Sequence, residues 1–145
     1  DVRHWPLVID VDEEFYFKPD AGQILLSPAN EDPMPPCDAY PDDLDVAIAV
    51  DRFERVTTMQ VARVGRSWAG LRSFVADRSP VAGFDSDTDG FFWLAGQGGY
   101  GIQMAPALAR AAAALVLGQP MPGDILDAGI TAQALSPGRL TTHTE

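Results

Sequence analysis

Cysteine is almost absent from the chain. Cys37 is the single one in 145 residues, so no disulfide can form within the chain and a reducing cytoplasm is the default compartment. Histidine is nearly as scarce. His4 and His143 lie near opposite ends, which leaves no Cys/His cluster with zinc spacing, and together with Ser67 they form no pattern that reads as a catalytic triad. Basic residues are outnumbered, with 10 Lys and Arg against 21 Asp and Glu and a formal charge of -11. That balance argues against a nucleic-acid partner, which needs clustered positive charge. It also disfavours an anionic membrane surface, and it permits a cationic substrate without indicating one. Long apolar runs are missing too: the stretch 111–117 falls well short of the ~20 residues of a membrane-spanning helix. The start carries an acid and no basic region before an apolar stretch, so no signal peptide is legible. It is also not Met, and the expectation is a processed or excised piece of a longer protein.

What the chain does have is a hydrophobic share of 46%, enough for a real core, and a length suited to ordinary domain size. Residues 5–11, 15–18 and 23–27 read as three short strands, the second stopped by Pro19, joined by turns at 12–14 and 20–22. Short connections make them an antiparallel meander. Alternation puts Phe15 and Phe17 on a core face and Tyr16 on the other, toward a cavity. A Pro- and Asp-rich loop over 28–41 contains Cys37, which reads as a bystander. Asp42 and Asp43 are suited to cap a helix over 44–59, with Val46, Val50 and Phe53 at helical spacing. Residues 61–74 read as a long strand, with Gly65 and Gly70 marking a bulge or bend. After a turn at 77–80 come a short strand at 81–84, a turn at 85–90 and a buried strand at 91–95. The main helix is expected over 102–117, with Pro106 either opening its regular part or kinking its first turns and Gly118 stopping it. From residue 124 to 145 little pattern remains apart from a short turn at Ile125-Leu126, and the tail is expected on the surface or frayed.

Three features carry chemistry. Gly96-Gln97-Gly98-Gly99-Tyr100-Gly101 joins a strand to a helix. Glycine lets another molecule approach the backbone, and the following helix N-terminus offers unpaired N–H groups and partial positive charge. The run reads either as a docking place for an electron-rich group or as a tight turn, since no full phosphate-loop pattern is present. Arg72 sits in an apolar setting, Trp68-Ala69-Gly70-Leu71-Arg72. It reads equally as half of a structural ion pair and as a clamp for a carboxylate, which guanidinium matches through two parallel bonds. Asp85-Ser86-Asp87-Thr88-Asp89-Gly90 copies half of a calcium loop, but the twelfth position is Gly96 rather than Glu, so a hairpin turn is expected instead.

Trp68-Ala69-Gly70-Leu71-Arg72-Ser73-Phe74-Val75, Pro80-Val81-Ala82-Gly83, the run from Gly90 through the glycine turn to Gln103, and Ser136-Pro137-Gly138-Arg139-Leu140 occur in one order. Together they resemble the C-terminal part of the FAD-dependent D-amino-acid oxidase superfamily, and within it most nearly the bacterial D-arginine dehydrogenases. The resemblance runs from about residue 5 to 140. It implies an α+β fold: an antiparallel substrate-binding sheet with its helix over residues 1–75, then the C-terminal strand, glycine turn and helix of an FAD-binding domain over 76–145. It implies that Arg72 grips the substrate carboxylate, that Tyr16 supports it, that Gly99 lies near the substrate amine and that Leu7 and Ile9 supply apolar wall. At Leu7 the dehydrogenases carry methionine. Gly70, Gly98, Gly99, Tyr100, Gly101, Ile102 and Gln103 are implied to face the flavin. The family's N-terminal G-x-G-x-x-G fingerprint is absent from these residues. The implied parent is an FAD enzyme that oxidises D-amino acids in the cytoplasm or at the periphery of the inner membrane, with a quinone or oxygen as electron acceptor. The competing reading is a non-catalytic binding or self-association module built on the same sheet.

Overall fold

In the computed structural model, which describes residues 2–140, the chain divides into two compact units, Asp1–Leu71 and Arg72–Glu145. His143 falls outside the described residues.

The first unit is a three-stranded antiparallel meander with one helix. Strands β1 (Val8–Ile9), β2 (Tyr16–Asp20) and β3 (Gln23–Ser27) lie in the order β1-β2-β3. The β2–β3 hairpin turns at Ala21 and Gly22, both with positive φ (47° and 79°), the twist that suits two-residue hairpins. β1 is much shorter than the strand expected over 5–11. Pro6 cannot donate a hydrogen bond, residues 2–5 close into a turn through Trp5 N donating to Val2 O at 3.0 Å, and only Val8↔Phe17 and Ile9↔Tyr16 pair. β2, in contrast, runs through Pro19 instead of stopping there. Pro19 lies beyond the reach of β1, an edge position where proline is tolerated.

The expected alternation is observed. Phe15 and Phe17 are buried and Tyr16 is half-buried. Helix α1 (Asp43–Val56) covers the buried face, with Phe53 meeting Phe17 edge-on at 5.0 Å between ring centroids. Arg52 ties the helix to the β1–β2 turn and to the chain just after β3, donating from Nη1 to the carbonyls of Glu14 and Pro28. Asp42 caps α1 by accepting from Leu44 N at 2.7 Å. The helix ends earlier than residue 59 because Thr57 turns the chain: its Oγ1 donates to Phe53 O and accepts from Met59 N. Asp42→Ala removes one satisfied amide and is expected to cost about 1 kcal/mol, read as a lowered denaturant midpoint with unchanged slope.

Residues 57–80 form neither helix nor strand, which corrects the strand expected over 61–74. β-rich composition makes a strand only where a neighbouring strand supplies hydrogen bonds. Here none pairs with it among the described residues, and Val64, Trp68 and Leu71 are left 48%, 64% and 45% exposed.

The second unit begins with the antiparallel hairpin of β4 (Val81–Phe84) and β5 (Phe92–Ala95). The Asp85–Gly90 turn is braced from within: Asp85 accepts from the Trp93 indole at 2.8 Å and from Asp87 N at 2.9 Å. The indole bond holds the Asp85 carboxyl below its ordinary value. Among the described residues no group of three or more His, Cys, Asp or Glu is placed to hold a metal ion.

Helix α2 (Gly101–Val116) packs on β4 through Leu108, Ala111 and Ala112 around the fully buried Ala82. Pro106 lies inside the helix, where its missing N–H forfeits the bond to the carbonyl of residue 102. Gly118, at φ 62°, ends it. Gln119 N reaches Ala114 O at 2.8 Å and Gly118 N reaches Leu115 O at 3.3 Å, the paired bonds of a Schellman stop. No helix among the described residues is long and apolar enough to cross a membrane.

The tail is not frayed over its described length. Helices α3 (Gly123–Asp127) and α4 (Ala132–Leu135) bring Ile125 and Leu135 into the same core as Ala82. Two apolar side chains separated by polar and small residues show no period, so their burial was not legible. Arg110 fixes α3 to α2 with a two-pronged bond to Asp124 at 2.7 and 2.8 Å. A 3-10 turn, Pro137–Leu140, follows. Its Arg139 donates to both Asp77 oxygens (2.7 and 3.1 Å) and to Ser79 O (2.6 Å). The Arg139 guanidinium, helped by the Ser79 amide, holds the Asp77 carboxyl below the usual carboxylate range. Because the folded value is depressed, this clasp stabilises the fold above the ordinary carboxylate pKa and is lost as pH falls below it. Asp77→Asn should therefore lower stability on the neutral plateau and flatten the acid limb of a stability–pH profile. An acid limb identical to wild type would show that the clasp contributes nothing.

Candidate functional site

Arg72 and the glycine run lie together in the second unit. Residues 72–75 pass alongside residues 96–99, tied by Gly98 N donating to Ser73 O at 3.0 Å. Each residue of the first segment meets a glycine of the second. A Cβ on Gly96 would stand 3.0 Å from Val75 Cγ1, one on Gly98 2.5 Å from Phe74 Cε1, and one on Gly99 3.0 Å from Arg72 Nη1. Gly96 and Gly98 also have positive φ, 70° and 56°, which glycine adopts without steric cost. Their glycine requirement is therefore met by packing inside the chain. Gly101 is similar, since its Cβ would press on Gln97 at 3.3 Å. Gly99 differs: it is exposed, with an ordinary φ, and the three atoms nearest its Cβ position all belong to the Arg72 side chain.

The turn feeds directly into α2. Tyr100 is the N-cap residue and gives no side-chain cap, so the amides of Gly101, Ile102 and Gln103 are the donors an α-helix leaves without intrahelical partners. No acid lies in the first turn, which leaves the positive end of the helix uncompensated from within the helix. Ile102 is 95% exposed and Tyr100 49%. A guanidinium, an open glycine and a run of helix-start amides are thus gathered on one exposed corner. This set suits an electron-rich, planar or carboxylate-bearing ligand. For a flavin ring the donors fit: the Gly99 backbone has no side chain to hold it off, and amides 101–103 favour negative charge. Nothing in the corner resembles a cradle for a pyrophosphate.

The remaining expected site residues belong to the first unit. Tyr16 is half-buried on β2, while Leu7 and Ile9 are 51% and 55% exposed beside and on β1, all in the first unit. Gly70, also in that unit, has nothing within 4 Å of the Cβ it lacks. Cys37, His4 and Ser67 are exposed. Two hollows lie within the second unit. One, of about 270 Å³, is walled by Met104, Leu108, Ile125 and Leu135, and the other by Val75, Val81, Trp93 and Pro137. Both are apolar and lack convergent polar groups, so neither competes as a site of chemistry.

Sequence reasoning missed Phe74 and Val75. The available signal was indirect: glycines in a turn imply a wall they are pressed against, and the wall stands two and three residues after Arg72. It also missed the Asp77–Arg139 clasp, which spans 62 residues.

Residues 1–115 match the family model described as DAO, FAD dependent oxidoreductase. The match takes in the meander, Arg72, the glycine turn and most of α2, and leaves the Arg139 turn beyond it. With that much of its 145 residues matched, the chain belongs to the DAO family of FAD-dependent oxidoreductases.

Proposed function

We propose that the chain carries the substrate clamp and the flavin-facing turn of an enzyme that oxidises D-amino acids, of D-arginine dehydrogenase type, with the nucleotide-binding segment supplied outside these residues. The observation that carries the proposal is the Arg72 guanidinium set against the open Gly99 at the entrance to α2. Arg72 binds the substrate carboxylate through two charge-assisted bonds. That orients the α-carbon and its hydrogen, and the open Gly99 leaves room for the amine beside the backbone. FAD, when bound, supplies the acceptor for the hydride that leaves the α-carbon. The substrate ammonium gives a proton to solvent, the freed lone pair forms the C=N bond as the hydride leaves, and water then converts the imino acid to a 2-oxo acid and ammonia. The amides of Gly101, Ile102 and Gln103, with the helix dipole behind them, favour negative charge at the turn. The family resemblance gives Tyr16 a supporting hydroxyl donor role and gives Leu7 and Ile9 the part of apolar wall.

Exposed apolar surface supports the need for a further segment. Val11 is 90% exposed, Trp68 64% and Ile102 95%, an unusual load for a free-standing surface. The same observation favours the second reading, self-association of this sheet as a non-catalytic module. Anaerobic addition of D-arginine to the flavin-loaded protein separates the two. Bleaching of the yellow flavin band supports the enzyme. An unreduced flavin with every D-amino acid tried, together with a concentration-dependent dimer in sedimentation, supports the module.

A further inference from the structure

Phe74 stands where the clamp and the turn meet. Its ring is the wall against Gly98, with Cε1, Cδ1 and Cζ all within 3.1 Å of the Cβ position there. The same ring faces two guanidinium groups: Arg72 Cζ lies 5.5 Å and Arg78 Cζ 4.6 Å from its centroid. Both distances suit attraction between a cation and an aromatic face. Arg78 is held in place by its backbone. Its φ is 62°, a left-handed conformation that a non-glycine residue adopts only at a cost, and its amide donates to Val75 O at 2.9 Å. Asp77, just before it, is gripped by Arg139. The segment from Arg72 to Ser79 is thus pinned at Ser73, Val75, Asp77 and Ser79, and the Phe74 ring projects from it to touch the glycine turn and both arginines.

We propose that Phe74, braced by Arg78, is a positioning residue that aims the Arg72 guanidinium at Gly99 and thereby sets the affinity for the substrate carboxylate. The inference rests on the carboxylate role proposed for Arg72. A purely aliphatic side chain at 74 could fill the space against Gly98 but would offer no π face to either guanidinium. The arrangement therefore asks for an aromatic ring, and Tyr should serve where Leu does not.

The test uses the 145-residue chain, nitrogen-labelled, with pyruvate as the carboxylate probe. The primary readout is the Arg72 Nε–Hε resonance in Arg78→Met, an exposed substitution that keeps the ring. The expected result is a displaced resonance, restored toward wild type by Arg78→Lys. In the same series Phe74→Leu should weaken pyruvate binding about tenfold and Phe74→Tyr should hold it within twofold. An Arg72 resonance unmoved by Arg78→Met would overturn the positioning role, and so would equal pyruvate affinity in Phe74→Leu and wild type while Arg72→Ala loses it. If Arg72→Ala itself leaves pyruvate binding unchanged, the carboxylate reading fails instead. The Arg78→Met resonance then still decides whether the ring carries the arginine.

Discussion

Arg72→Ala in the flavin-loaded protein should raise the apparent KM for a D-amino acid by at least about 100-fold. The guanidinium can make two charge-assisted bonds to the carboxylate, each contributing about 1.5–3 kcal/mol, and 1.4 kcal/mol corresponds to a factor of ten. The bond is present before and during hydride transfer alike, so the limiting rate should change less than KM. Lysine should recover only part of the loss, because a single ammonium cannot reproduce the planar two-pronged grip. Steady-state kinetics on wild type, Arg72→Lys and Arg72→Ala reads both quantities. A near-wild-type KM in Arg72→Ala would remove Arg72 from the site and leave it as a solvent-facing side chain stacked on Phe74.

Gly98→Ala should destabilise the fold by about 2–5 kcal/mol, against about 1–2 kcal/mol for Gly118→Ala. The two glycines have nearly the same left-handed φ, 56° and 62°, so each alanine incurs the same kind of backbone cost, about 1–2 kcal/mol. Their surroundings differ. At Gly118 nothing lies within 4 Å of the new Cβ, whereas at Gly98 it would overlap the Phe74 ring at 2.5 Å. Forcing the ring aside adds the about 1–3 kcal/mol typical of overpacking. Denaturant titrations of the two variants isolate that difference. Equal losses would mean that the ring swings away freely and that the turn is not pressed against it. Because Phe74 also faces Arg72, Gly98→Ala is expected to disturb carboxylate affinity as well, which Gly118→Ala should not.

The elements that were legible in the sequence are those whose signals are local. Asp42 before an amphipathic stretch gives the start of α1, and Gly118 gives the end of α2. The alternation of Phe15, Tyr16 and Phe17 gives the buried face of the meander. The strand–turn–helix around residues 92–116 follows from a glycine run between two apolar segments. What was not legible depends on partners distant in the chain. Residues 61–74 have strand composition but no strand beside them among the described residues, and composition cannot report whether a partner is there. The tail looked patternless because Ile125 and Leu135 are single anchors on separate short helices. At the site, the resemblance singled out Arg72 and Gly99. Local spacing could not say that residues 72–75 would run against residues 96–99, nor that Phe74 and Val75 are the reason Gly98 and Gly96 must be glycine. The glycine run therefore turns out to be two things at once: a packing solution at Gly96, Gly98 and Gly101, and an open corner at Gly99.

The proposed function puts the substrate carboxylate at the Arg72–Gly99 corner. A crystal structure of the flavin-loaded protein with a 2-oxo acid product bound tests it directly. The account predicts both carboxylate oxygens within hydrogen-bonding distance of the Arg72 guanidinium, with the 2-oxo carbon beside Gly99. A carboxylate held by other residues, with the guanidinium turned away to solvent, would contradict it.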